Sequence, residues 1–245
     1  MIAVTFALPA ESSEFLSRLK DTSRADRNGI RVIRGKIDDR DIEILHTGVG
    51  EKVCRQRVEK FLQDHQFDLL ITTGFAGALN DELQPGDLLL AKNFSTIDLN
   101  ERGLSCSSLP IHVADLLTVS ALIDSSNERN KISRASNAAA VDMETEFIAR
   151  ACATHGIPLL SLRVITDTPT QPFPAPPSVL FDIQQQRTHI AVLTKFFLAH
   201  PRRIPSLVQF ARKIARARKT LSDALVSIVR SQVGTIDRNG PGRFG

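Results

Sequence analysis

The chain has 245 residues, 42% of them hydrophobic, with 13 Phe and neither Trp nor Tyr, which is enough for one large domain or two small ones around a sizeable core. Its three cysteines, Cys54, Cys106 and Cys152, are odd in number and scattered without CxxC spacing, which excludes a disulfide framework and a zinc site and suits a reducing cytoplasm. The net charge of +4 is uneven: residues 202–230 hold eight Lys or Arg against Asp223, a net of +7, residues 231–245 add +1, and the remaining 1–201 are left at −4. No run is apolar enough to span a bilayer, and no basic-then-apolar leader opens the chain.

Ile2 to Leu8 reads as a buried strand, and Ser12 or Ser13 is a candidate cap for a helix to about Leu19. Glu11 stands just past the strand end, either as a site residue or as a first-turn acid set against a helix dipole. Residues 20–30 are polar and loop-like. Arg31–Ile37 and Asp41–Thr47 pattern as a hairpin, followed by Gly48-Val49-Gly50 and a helix from about Glu51 to His65 with Val53, Val58, Phe61 and Leu62 on its inner face. Gly48 and Gly50, between strand and helix, suit either an anion cradled on backbone N–H groups or a tight turn.

Phe67–Thr73 is a second buried strand. It enters Gly74-Phe75-Ala76-Gly77, whose small residues serve a close ligand or close packing of strand on helix. A turn over 83–87 precedes the strand Leu88–Ala91. Residues 95–110 read as a surface loop, 112–123 is ambiguous between strand and helix, and 124–137 is polar, a helix or lid with Ile132 as its apolar position.

The stretch Ala138 to Asp167 organises the rest. It reads as strand, helix, strand, each strand ending in a carboxylate, with Phe147, Ile148, Ala151 and Cys152 on one helix face and Gly156 and Pro158 as the stop. Ligands of open α/β sheets bind outside the carboxyl ends of strands, and a βαβ unit brings Asp142, Glu144 and Asp167 to one cleft. Paired acids in a cleft point to bond cleavage with proton transfer. A Pro-rich turn follows over 168–177, then helices over 183–199 and 205–229. The last carries Leu207, Phe210, Ile214, Leu221, Leu225 and Ile228 in a stripe. The residues past Val233 read as a frayed tail.

Four pieces in order carry a resemblance: Ala7-Leu8-Pro9-Ala10-Glu11, Thr47-Gly48-Val49-Gly50, Thr73-Gly74-Phe75-Ala76-Gly77 with Pro85-Gly86-Asp87, and Val141-Asp142-Met143-Glu144 with Arg163-Val164-Ile165-Thr166-Asp167. Together they resemble the purine nucleoside phosphorylase and nucleosidase family. The resemblance implies an α/β three-layer fold, with a mixed, partly closed central sheet and flanking helices. It implies cleavage of the N-glycosidic bond of a purine nucleoside, no cofactor or metal, and an assembly of identical chains.

Carried over by position, Asp167 is the acid that protonates N7 of the leaving purine, and Glu11 the base that orients the attacking water. Glu144 grips the ribose hydroxyls, Met143 packs under the sugar, and Asp142, Phe75, Gly74, Gly77 and Thr166 complete the substrate site. Gly48 and Gly50 form the nucleophile or anion loop. The acid must stay protonated, through burial or a neighbouring charge. The base stacks within 117–125, on Leu122 or Ile123. Phe75 stands where phosphate-using members place a hydroxyl, which favours water as nucleophile. The phosphate-dependent reaction and a non-catalytic ligand-binding member of the fold are the alternatives.

The Pro-rich turn and the Arg-rich C-terminal helix resemble the hopanoid-associated branch, which implies a 5′-substituted adenosine such as adenosylhopane. The expected organisation is a catalytic domain over 1–200, a basic amphipathic helix over 201–233 and a tail over 234–245. A basic amphipathic helix suits an anionic membrane surface or simply a solvated face. Nucleic acid is not expected, because no aromatics interleave the basic residues.

Overall fold

Every residue of the first strand, β1 (Ile2–Phe6), is buried, because helices cover both sides of it. In the computed structural model, which describes residues 1–63, 65–97, 110–123, 125–174, 196 and 199–231, β1 lies inside a ten-stranded mixed sheet. On one side β2 (Lys20–Arg27), β3 (Ile30–Ile37) and β4 (Arg40–His46) form an antiparallel meander, with β4 parallel to β1. On the other side β5 (Leu69–Ala78) lies parallel to β1. Numbered in chain order, the strands β6 (Leu88–Ala91), β7 (Ile111–Ala114), β8 (Leu116–Thr118), β9 (Ala140–Asp142) and β10 (Leu159–Asp167) complete the sheet. β10 runs parallel to β5 and antiparallel to β6, and β7 closes that edge. β9, with β8 beside it, branches off the far end of β5.

The period of two in each strand divides the core into layers. Ile2, Val4 and Phe6 face α1 (Pro9–Leu16) and the C-terminal helix, labelled α5 (Ile204–Ser231). Ala3 faces α2 (Glu51–Leu62) and α4 (Thr145–His155), which meet each other through Cys54, Val58, Ile148 and Cys152. The remaining helix, α3 (Ser126–Ser136), starts on a Ser125 side-chain cap and ends on Asn137 in the left-handed conformation. Leu221, Leu225 and Ile228 of α5 are fully buried in the layer with Ile2 and Val4, each contributing roughly 1.5–3 kcal/mol. The second half of α5 is therefore part of the central core. Its first half reaches outward, with Ile204 and Val208 exposed.

Several sequence expectations change. The stretch read as a loop over 20–30 is the strand β2; it is almost wholly exposed and polar, so no alternation betrays it, and its charges suit a sheet edge. Helix α1 begins at Pro9, where a proline loses nothing by lacking an N–H. Ser12 is inside that helix and not its cap; its Oγ lies 2.7 Å from His46 Nε2. The ambiguous 112–123 divides into the short strands β7 and β8. The strand at 67–73 does not stop at Gly74; β5 continues through Gly77. Finally, β9 and β10 are not neighbours in a parallel βαβ unit. β9 pairs antiparallel to β5 at Gly77, and the same glycine pairs with Asp167 of β10 on its other side. The expected loop over 95–110, the helix over 183–199 and the tail over 234–245 lie almost wholly outside the described residues.

Candidate functional site

Along one edge of β5 the pairing partner changes. β10 covers the other edge from Leu70 to Gly77, so β1 at Leu69–Thr72 and β9 at Gly77–Ala78 must share this one. Between them, Thr73 to Ala76 have no strand partner on that side among the described residues. Glu11 fills the gap. Its Oε1 accepts the Phe75 N–H at 3.3 Å, and its Oε2 accepts the Ala7 and Leu8 N–H groups at 2.9 and 3.0 Å. Glu11 thus ties down the start of α1 from the third helical position while its carboxyl stands in the gap. Burial pushes its carboxyl above the ordinary range, while the three N–H groups and the charge of Arg163 pull it back.

Glu144 caps α4 from the end of the β9 segment, and its Oε1 accepts the Gly50 N–H at 2.9 Å. Gly50, at φ +86°, is the N-cap of α2, and its N–H is taken by the Glu144 carboxyl. The Gly48 N–H donates to the Ala7 carbonyl. Both glycine N–H groups of the turn thus have partners within the chain. Burial, then the charge of Asp142, pushes Glu144 up to about 8.

Asp142 is held by several neighbours. Its Oδ1 accepts Thr118 Oγ1 at 2.8 Å and its Oδ2 the Arg163 Nε at 3.1 Å, and both oxygens receive the Thr145 N–H. Thr145 Oγ1 also donates to Oδ2. With its lone pairs so engaged, Asp142 lines the cavity but serves to anchor α4 to β8 and β10. Arg163, in the middle of the wholly buried β10, also donates to Thr72 Oγ1 at 3.1 Å.

Asp167 ends β10 at a register shift against β5. Thr166 Oγ1 donates to its Oδ1 at 2.8 Å, and the buried Arg129 of α3 donates to its Oδ2. Arg129 also donates to the carbonyls of Ile123 and Ala78, both at 2.8 Å, so it fastens α3 to the sheet. The charged group beside Asp167 is the guanidinium of Arg129. Nothing in the polar stretch 124–137 singled out Arg129.

The two glycines of β5 serve these acids. A Cβ on Gly77 would lie 3.0 Å from Asp167 Oδ2, and one on Gly74, at φ +155°, would lie 3.2 Å from Glu11 Oε2. The strand thereby makes room for two carboxylates.

These groups converge on one cavity of about 420 Å³, within the range that takes a nucleoside-sized ligand. Glu11, Glu144, Asp167, Asp142, Thr166 and Arg129 supply its polar lining, and Met143, Phe75, Gly77, Leu122 and Ile123 line it too. The remaining wall is apolar and includes Phe173 against Phe210, edge to face at 5.4 Å, and Ile214. Phe173 belongs to the Pro-rich segment 168–177, which the sequence reading folds over the cleft; it gave Phe210 and Ile214 no place in the site. A second, small cavity of about 10 Å³ adjoins the first through Ala7, Glu11, Phe75 and Glu144, and adds Thr73, Gly74 and Arg163. It has room for one water. The buried Thr73 Oγ1 in its wall has no hydrogen-bond partner among the described residues. No cluster of His, Cys, Asp and Glu among the described residues is arranged to hold a metal.

Comparison with known proteins agrees with this architecture. The chain is 24% identical over 196 residues to a 5′-methylthioadenosine/S-adenosylhomocysteine nucleosidase of Staphylococcus aureus, covering 68% of this chain and 86% of that protein. In fold it is similar to the corresponding nucleosidase of Campylobacter jejuni, with a TM-score of 0.70 at 19% identity over 93% of this chain and 97% of that one. It is similar also to futalosine hydrolase of Helicobacter pylori, with a TM-score of 0.69 at 15% identity over 94% and 97%. The family described as the phosphorylase superfamily matches residues 1–104 and 98–199. The chain belongs to the phosphorylase superfamily.

Proposed function

We propose that the chain hydrolyses the N-glycosidic bond of a purine nucleoside, an adenosine with a large apolar 5′ substituent such as adenosylhopane. The observation that carries the choice of water is the small cavity. Its volume of about 10 Å³ suits one water and is too small for phosphate, and Glu11, Thr73 and Arg163 stand around it. Phe75, with no hydroxyl to offer, fits the same choice. The relatives bear the names of nucleosidases and a hydrolase.

In this reading the purine lies toward Asp167, between Ile123 and Leu122, and the ribose over Met143. The water donates one hydrogen bond to Glu11 and is held by Arg163. As the C1′–N9 bond breaks, the ribosyl group gains oxocarbenium character. The water oxygen bonds to C1′ and its proton passes to Glu11, which burial has made a stronger base than a free carboxylate. Asp167 gives a proton to N7, so a neutral purine leaves. Glu144, protonated below about pH 8 in the empty site, is favoured as a carboxylate once ribose hydroxyls donate to it, and it then opposes the positive charge. The acid role requires that the purine arrive with Asp167 taking up a proton as Arg129 loosens. The apolar wall from Phe173, Phe210 and Ile214 suits a hydrocarbon substituent. A lipid-tailed substrate in turn suits a protein of the cytoplasm that works at the membrane surface through residues 202–230.

Incubation with a panel of 5′-modified adenosines, with and without phosphate, tests this. Free adenine appearing without phosphate, faster for apolar 5′ groups, is expected. Strict dependence on phosphate would make the chain a phosphorylase, and release of no base from any substrate would favour a binding protein.

A further inference from the structure

The outward face of α5 has no part in the site. Inward, Phe210 and Ile214 line the cavity, and Ala217, Leu221 and Leu225 enter the core. On the opposite face Val208, Arg212 and Arg216 stand four residues apart in one row, with Ile204 and Lys219 alongside. Ile204 and Val208 are 43% and 45% exposed. Arg212, Arg216 and Lys219 are exposed and have no hydrogen bond or ion pair among the described residues. Their neighbours do: Lys213 donates to Gln171, Arg218 to the Ala10 carbonyl, and Arg230 pairs with Asp38. No acid occurs in the chain from 202 to 222. Like charges four apart weaken a helix, so the row is not explained by the stability of α5 itself.

We infer that this face docks on an anionic lipid surface, with Ile204 and Val208 entering the headgroup layer and the row of cations against the lipid charge. Charge complementarity selects the occupant. A second copy would bring the same +7 segment against its like, and a nucleic acid would meet two aliphatic side chains and no aromatic ring on this face. The helix is too charged to cross a membrane, and none of the described helices is long and apolar enough to do so. It has instead the composition of one lying in the interface plane. The body, net −4 over residues 1–201, is repelled by the surface that attracts the helix, which orients the protein helix-first. Because α5 also walls the cavity, docking holds the cavity within about one helix diameter, ~10 Å, of the headgroups. This adds a partner to the proposed function; the docking itself stands on the surface alone.

Sedimentation of the full chain with vesicles of phosphatidylcholine, and of equal parts phosphatidylcholine and phosphatidylglycerol, tests it. Binding to the anionic vesicles alone, lost at high salt, is the expected result. Each removed cation lowers the partition about fivefold, and Arg212→Gln/Arg216→Gln/Lys219→Gln lowers it on the order of 100-fold. Ile204→Ser/Val208→Ser weakens binding while leaving its salt dependence in place. Equal binding to both vesicles, no binding, or a triple variant that partitions like the wild type overturns the inference. Self-association abolished by Val208→Ser also overturns it, by assigning the face to a second copy, and so does preference for a single-stranded oligonucleotide over anionic vesicles. Adenine release from soluble 5′-methylthioadenosine is measured separately: the triple variant keeps it, and its absence in the wild type counts against hydrolysis without touching the vesicle result.

Discussion

The two ends of the cavity treat the same chemical group in opposite ways. At one end Glu11 and Glu144 are buried beside a third acid, Asp142, and both are pushed above the ordinary carboxylate range. The nearest cation, Arg163, is hydrogen-bonded to Asp142 and reaches the other two only through its charge. At the other end Asp167 is buried against the guanidinium of Arg129 and a donating hydroxyl. Burial raises both acids at the first end, with the charge of Asp142 adding to it at Glu144, whereas Asp167 has a cation in direct contact. The cavity therefore has a proton-holding end and an ion-paired end.

The largest expected effect tests the ion-paired end as the source of the proton. Asp167→Asn keeps the shape and removes the carboxyl; base release falls roughly 100- to 10,000-fold, seen in kcat with KM little changed. Wild-type turnover in this variant would move the acid elsewhere. Next comes the pair itself. Arg129→Met leaves a carboxylate buried without its cation, at about 3–5 kcal/mol of stability near neutral pH. Urea midpoints for variant and wild type check it; a loss of about 1 kcal/mol would mean that Arg129 acts only by fastening α3 to Ile123 and Ala78.

The proton-holding end gives the contrary sign. Glu144 titrates at about 8 in the folded chain against 4.5 when unrestrained. As pH rises from the lower value to the higher, the unfolded chain loses a proton that the folded chain keeps, so stability falls across that window and levels off above it. Glu144→Gln removes the slope. The variant matches the wild type in acid and is the more stable by a few kcal/mol above about pH 8, and under the proposed role of Glu144 as the ribose grip base release drops. Parallel stability curves would mean that Glu144 is not strained by its neighbours.

How much of this could be read beforehand depends on how local each cause is. The carboxylates at strand ends were legible, because an acid closing an apolar run is a short-range signal, and so was the glycine-rich stretch beside them. The gap in β5 pairing was not, because it depends on β1 and β9, about 70 residues either side of Phe75. Asp142 read as a substrate ligand because Thr118 and Arg163, which occupy it, are distant in the chain. Arg163 did carry a signal, as the one charge inside an otherwise apolar run ahead of Asp167. Arg129 carried none: among the charged and polar residues of 124–137, only the folded position of α3 distinguishes it. The strand β2 was missed for a related reason, since an exposed edge strand has no apolar face to show.

The smallest effects separate the two ends most finely, because an added Cβ at Gly77 or Gly74 comes nearest to a different one of them. At Gly77 it meets Asp167 at 3.0 Å and Arg129 at 3.2 Å, whereas at Gly74 its nearest atoms are those of the Glu11 carboxyl, at 3.2 to 3.4 Å. Each alanine variant is expected to lose about 1–3 kcal/mol, Gly74→Ala partly through its positive φ. If the ends are independent, Gly77→Ala is non-additive with Asp167→Asn and additive with Glu11→Gln, and Gly74→Ala shows the reverse. Coupled pairs differ from additivity by roughly 0.5–3 kcal/mol, and independent ones agree within about half a kcal/mol. Measured from urea unfolding of the single and double variants, coupling of Gly77→Ala to both acids would mean that β5 moves as one body beneath them. The proton-holding and ion-paired ends would then be two faces of a single strained strand.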